Sequence, residues 1–182
     1  MANSIQSFID NFNGGNRSHR YDVELDWPTS VDVSGTQTSS QLDKFHVRSV
    51  ALPASQINPI RIPYRGRILK YPGDRIFYPW TFRVLDENSA PNKSIWNNFN
   101  KWSNLINNYE TNIPSNDWNE FTASEWKIYQ KDANNQTIKT ATLHDCWPTV
   151  VGPISLDANA IDTLVEFTVT VEYQWATIDG QV

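Results

Sequence analysis

From Val165 to Trp175 the chain alternates apolar and polar residues without a break. Val165, Phe167, Val169, Val171, Tyr173 and Trp175 fall on one side of an extended backbone, and Glu166, Thr168, Thr170, Glu172 and Gln174 on the other. Successive side chains of a strand point to opposite faces, so this is a half-buried strand, and half-buried strands build antiparallel sheets with one wet face. The same period runs through Tyr21, Val23, Leu25 and Trp27, and again through Trp80, Phe82 and Val84 in a strand over residues 75–87, Pro79 placing its start at an edge or bulge. Further strands are expected over residues 44–52, 124–131 and 137–147, and Pro72-Gly73-Asp74 reads as a turn.

One stretch has a different period. Ile95, Phe99, Trp102, Ile106 and Tyr109 sit at helical spacing, with Pro91 suited to the first helical position, which predicts a helix over residues 91–109. The fold class is therefore mainly β, an antiparallel sandwich or barrel with one packed α-helix and an extended hairpin arm. Residues 1–20 form an N-terminal arm, in which Ile5, Phe8, Ile9 and Phe12 suggest a short amphipathic helix ahead of Gly14-Gly15; residues 21–182 form a single domain. A loop or weak hairpin covers residues 29–41.

Composition closes off several function classes. The single cysteine, Cys146, excludes an internal disulfide or a multi-cysteine zinc site. The first six residues lack the basic start and apolar run of a signal peptide, and no apolar run is long enough to span a membrane, so cytoplasmic synthesis is expected. A net charge of -5 argues against a general nucleic-acid binder.

No catalytic, cofactor-binding or metal-binding constellation stands out. The glycines form no phosphate-cradling loop. His144-Asp145-Cys146 is the tightest cluster of ligand types, but on a strand His144 and Cys146 share one face and Asp145 points away. The pairs Glu24/Asp26 and Glu166/Glu172 lie on polar strand faces, where solvation is the simplest role. Eight Trp would suit a β-sandwich carbohydrate-binding module, although most sit at core periods.

The arm over residues 60–71 is the segment that an isolated fold explains least. Arg61, Arg65, Arg67 and Lys70, with Arg75 just beyond, are interleaved with Ile62, Tyr64, Ile68 and Tyr71. Cations among stacking rings could bind nucleic acid. They could equally meet acidic residues of a neighbouring subunit, which the acidic excess of the remaining chain favours.

Several motifs in order carry a family resemblance. Val50-Ala51-Leu52-Pro53-Ala54, then Pro72-Gly73-Asp74-Arg75-Ile76-Phe77, then the stretch Trp80 to Glu87, and finally Cys146-Trp147-Pro148-Thr149-Val150-Val151-Gly152-Pro153 running on to Asp157, together resemble the tail tube protein of contractile-tailed, T4-like phages. The resemblance spans residues 21–175 and extends to pyocin tubes and the ring protein of type VI secretion systems. It implies a structural protein, without cofactor, forming stacked hexameric rings around a conduit for DNA ejection.

Its implied partners are further copies of itself, tail sheath, baseplate and tape-measure proteins, and double-stranded DNA passing without tight binding. Its implied location is the virion tail. A tube of a secretion system or bacteriocin, and a baseplate tube initiator, share the same core. A tube that passes DNA should not carry a basic lumen, because every phosphate neutralised adds salt-dependent affinity. No Lys or Arg occurs from Asn159 to Val182, so Glu166, Thr168, Thr170 and Glu172 are a candidate lumen face; an ordinary solvated surface is the rival reading.

Overall fold

The structure is a computed structural model, and it describes residues 5, 7, 12, 15–31, 46–86 and 94–179. The fully described elements are, in chain order, β1 (Tyr21–Glu24), β2 (Val47–Ser49), β3 (Ser55–Tyr64), β4 (Arg67–Phe77), β5 (Trp80–Leu85), α1 (Ile95–Ile106), α2 (Trp118–Phe121), β6 (Ala123–Lys131), β7 (Thr137–Val151), β8 (Glu166–Glu172) and β9 (Trp175–Asp179). One sheet runs β1-β6-β7-β8-β5-β2, with β9 also paired to β7, and every pairing is antiparallel. The hairpin β3–β4 forms a separate two-stranded ribbon. No helix among the described residues is long and apolar enough to cross a membrane.

The sheet curls because β7 serves two halves. Its first part pairs with β6 and β9, its last part with β8. Between them Asp145 takes φ 54, a left-handed conformation that bends the strand. The curl carries the two outer strands towards each other, and the Tyr21 hydroxyl of β1 donates 2.9 Å to the carbonyl of Val47 in β2. The result is a half-barrel.

Its apolar face is covered by α1, whose buried side is Ile95, Asn98, Phe99 and Trp102. Phe99 makes edge contacts with Phe82 of β5, Trp126 of β6 and Phe167 of β8, so one ring joins both halves of the sheet to the helix. Buried indoles need a hydrogen-bond partner. Trp80, Trp102 and Trp126 each donate 2.6 Å to a backbone carbonyl, of Ala51, Phe121 and Asp26 respectively. Ser94 caps α1 by accepting from the Asn97 amide at 3.2 Å, while its hydroxyl meets the Asp86 carboxylate.

The structure revises several boundaries expected from the sequence. The Pro72-Gly73-Asp74 turn does not form: β4 runs straight through it, beside a register shift at Ile57/Pro59. A Cβ on Gly73 would lie 2.6 Å from the Asn58 carbonyl, so the glycine permits a close strand crossing. The strand expected over 75–87 is two strands, parted at Tyr78-Pro79. Likewise β8 ends at Glu172 and Trp175 opens β9. α1 ends at Ile106, leaving Tyr109 outside it and exposed. α1 also starts later than expected, at Ile95 after the Ser94 cap and not at Pro91; residues 32–45, and most of the stretch expected to form the N-terminal helix, lie outside the described residues.

Candidate assembly surfaces

The ribbon is a tight hairpin. Arg65 (φ 44) and Gly66 (φ 78) are both left-handed, the requirement of a two-residue type I′ turn that matches strand twist. It is longer than the expected 60–71 arm, spanning Ser55–Tyr64 and Arg67–Phe77. Opposed residues share a face, so the register sorts the side chains. Ile60/Tyr71, Ile62/Leu69 and Tyr64/Arg67 lie on one side, Arg61/Lys70 and Pro63/Ile68 on the other.

Neither side has a covering layer. Ile60, Ile62, Tyr64, Ile68, Leu69 and Tyr71 are each 49–66% exposed, and the body's core cluster includes none of them. A lone two-stranded hairpin is marginal in water, and contiguous exposed apolar patches are rare on soluble monomers. Arg61 opposite Lys70 adds a like-charge pair. Among the described ion pairs none involves an arm cation; Arg75 donates to the Ser55 hydroxyl, and the Arg65 guanidinium lies 5.4 Å from the Tyr64 ring centre. The ribbon holds five cations and one acid, against ten and nineteen in the rest of the chain.

The candidate lumen residues are brought together as one row. Phe167, Val169 and Val171 of β8 are buried, which turns Glu166, Thr168, Thr170 and Glu172 to the opposite face, all half-buried. The sequence of this strand alone missed its neighbours. β5 sets Arg83 opposite Thr168 and Thr81 opposite Thr170, and Arg48 of β2 pairs with Glu166 at 2.8 Å. The face is mixed in charge, and the signal that could have shown it is the exposed period of β5, where Thr81 and Arg83 alternate with core residues.

The outer face of β1, β6, β7 and β9 is also polar, and several of its carboxylates are partnered within the subunit. Asp22 pairs with Lys131, Glu125 with Lys127 at 3.0 Å, and the Tyr129 hydroxyl donates to Glu24 at 2.8 Å. Burial, followed by that bond to the carboxylate, pushes the Tyr129 phenol up to about 12. The hydrogen bond from Lys127 holds Glu125 below the usual carboxylate range.

The bend at Asp145 separates the ligand-type cluster differently from a straight strand. His144 stacks on Trp175 outside the barrel, whereas Cys146 is fully buried within it. The two therefore do not share a face, and burial raises the Cys146 thiol well above its ordinary value, away from nucleophilic use. No group of His, Cys, Asp and Glu among the described residues could hold a metal. A groove of 810 Å³ between α1 and the loop after it contains Lys101, Asn104, Asn108, Ser115 and Glu120, with no second carboxylate for acid–base work.

The model of the family described as phage tail tube protein matches residues 16–177. The tail tube protein of Serratia phage KSP90 is 31% identical over 187 residues, covering 98% of this chain and 97% of that one. Tail tube protein gp19 of Enterobacteria phage T4 is 27% identical over 127 residues, 69% of this chain and 76% of that one. Among solved structures, a chain of the sheath-tube complex of an extracellular contractile injection system shares the fold with a TM-score of 0.62 at 14% identity, covering 98% of this chain and 99% of that one. A chain of the anti-feeding prophage baseplate gives 0.63 at 13%, with 92% and 97% covered.

Proposed function

This chain belongs to the phage tail tube protein family, structural proteins of the virion and not enzymes, and on that premise we propose that it closes into sixfold rings that stack as a hollow conduit for DNA ejection. The observation that carries this reading is the β3–β4 ribbon. It exposes apolar residues on a hairpin that reaches the subunit core only at its base, through Phe77 against Tyr173, and sets five cations against one acid on a chain with an acidic remainder. Such a surface is costly on a monomer and is covered in an assembly.

The arm residues Arg61, Ile62, Tyr64, Arg65, Arg67, Ile68, Lys70 and Tyr71 are the connector between subunits or rings. The open edges of the curled sheet, at β1, β2 and β9, supply the strands through which neighbours close a common barrel. The row Glu166, Thr168, Thr170 and Glu172 lines the channel, its carboxylates offset by Arg48 and Arg83, so that the wall neither grips nor strongly repels the duplex. A contractile sheath surrounds the tube, and a baseplate and a tape-measure protein set its ends.

Electron microscopy of the purified chain tests this reading. Wild type is expected to give stacked rings with a central hole. Deleting residues 63–69, or changing Arg65→Glu with Arg67→Glu, is expected to leave folded subunits that form no tubes. Normal tubes from the charge-reversed chain would remove the arm from this role.

A further inference from the structure

The ribbon needs a counterpart, and the described surface contains one whose character matches it. Residues 152–165, between β7 and β8, expose Leu156 (84%), Ile161 (81%) and Leu164 (68%), more fully than any apolar residue of the arm. The loop is shaped, not slack. Asp157 accepts 2.9 Å from the Asn159 amide through its carboxylate and 3.1 Å from the Ala160 amide through its carbonyl, while Asp162 adopts a left-handed φ of 59. These turns hold three apolar side chains outward beside two carboxylates. No Lys or Arg follows Lys139 in the chain, and neither Asp157 nor Asp162 is in any of the described ion pairs.

We propose that the loop at residues 152–165 is the receptor for the β3–β4 arm of a second copy of this chain. The inference rests on the arm being the connector, and adds what the connector binds. Apolar area meets apolar area, and the cations of the arm meet Asp157 and Asp162. Other surfaces fit less well. The outer face of β1, β6, β7 and β9 is polar and its carboxylates already hold Lys131, Lys127 and Tyr129. The row on β8 is half-buried and Glu166 is held by Arg48. Arm and loop are different patches of one chain, so when each arm docks on a copy whose own arm reaches a third, the contact is head-to-tail, the kind that propagates into rings or stacks instead of stopping at a dimer.

The test uses the full chain. Asp162→Lys with Asp157→Asn, the latter keeping the side-chain acceptor of the turn, is expected to cut pelletable tubes by about tenfold or more through like-charge apposition and the lost carboxylate, with the thermal midpoint of the subunit unchanged. An Arg67→Cys, Asp162→Cys chain, oxidised after assembly, is expected to give a ladder of disulfide-linked multimers, read cleanly because native Cys146 is fully buried. Wild-type tube yield from the loop-reversed chain, or only monomers from the cysteine pair in assembled material, overturns the pairing. If the arm-reversed chain assembles normally, the connector reading itself fails. If it does not while the loop-reversed chain does, only the receptor assignment falls.

Discussion

β5 and the β3–β4 ribbon are neighbours in sequence, separated only by Tyr78-Pro79, and both place apolar residues at alternate positions. In β5, Trp80, Phe82 and Val84 are buried almost completely. In the ribbon, Ile60, Ile62 and Tyr64 remain about half exposed. The difference is not in the residues but in what faces them. β5 lies between β8 and β2 with α1 over its apolar side, whereas the ribbon pairs only with itself. Alternation thus defines which side of a strand is apolar, and the tertiary context decides whether that side is spent on the subunit or kept for an assembly.

Truncation of the core should give the largest effect. Trp102→Ala removes a fully buried ring and its bond to the Phe121 carbonyl, and is expected to lower subunit stability by about 3–5 kcal/mol. Denaturant unfolding of the unassembled protein measures this. A shift close to zero would mean that the half-barrel does not depend on α1. Removing the helix cap by Ser94→Ala should cost about 1 kcal/mol by the same measurement, since it takes one hydrogen bond from the first turn and leaves the Asp86 carboxylate with the Trp96 amide but without the Ser94 hydroxyl.

In the ribbon the expectation inverts. Ile62→Ser with Leu69→Ser, a cross-strand pair on the apolar face, should change subunit stability by less than about 0.5 kcal/mol, because exposed substitutions away from buried features seldom do more. The same change should abolish tube formation in sedimentation. A large stability loss would show that the arm folds back on the body, and would erase the contrast drawn above.

The smallest effect concerns pH. The folded-state pKa of Tyr129 lies near 12, above the usual 10, so the protonated phenol is favoured by folding. Its stabilisation is complete below pH 10 and is lost as pH rises through 12. Tyr129→Phe should therefore show a shallower fall in stability than wild type between those values. Parallel curves would detach the Tyr129–Glu24 bond from alkaline unfolding.

The features legible in the sequence share a local cause. The two faces of β8 and the buried stripe Ile95, Phe99 and Trp102 follow from periods of two and 3.6, fixed by backbone geometry within a few residues. The arm was visible as a run of cations that Asp74 alone opposes. What escaped the sequence depends on residues far away. Gly73 reads as a turn until Asn58 is known to cross beside it, and the 145 bend appears only when β7 must pair with β6 on one side of it and β8 on the other. The basic neighbours of the candidate lumen row escaped for the same reason: Arg48 and Arg83 come from more than eighty residues upstream.

That distance has a temporal consequence. Tyr21 pairs with Gln130, and Phe82 with Val169, so the half-barrel is assembled from segments about a hundred residues apart, whereas the ribbon is complete once Phe77 exists. At roughly 5–20 residues per second of synthesis, β5 waits several seconds or more for β8 to leave the ribosome. During that interval Trp80, Phe82 and Val84 are as uncovered as the arm, and non-local strand pairing is slow to begin even when its partners are present. The emerging chain thus offers its sticky hairpin before its body is closed, and the last forty residues, which bring β8 and the loop before it, are what convert an aggregation-prone nascent chain into an orderly building block.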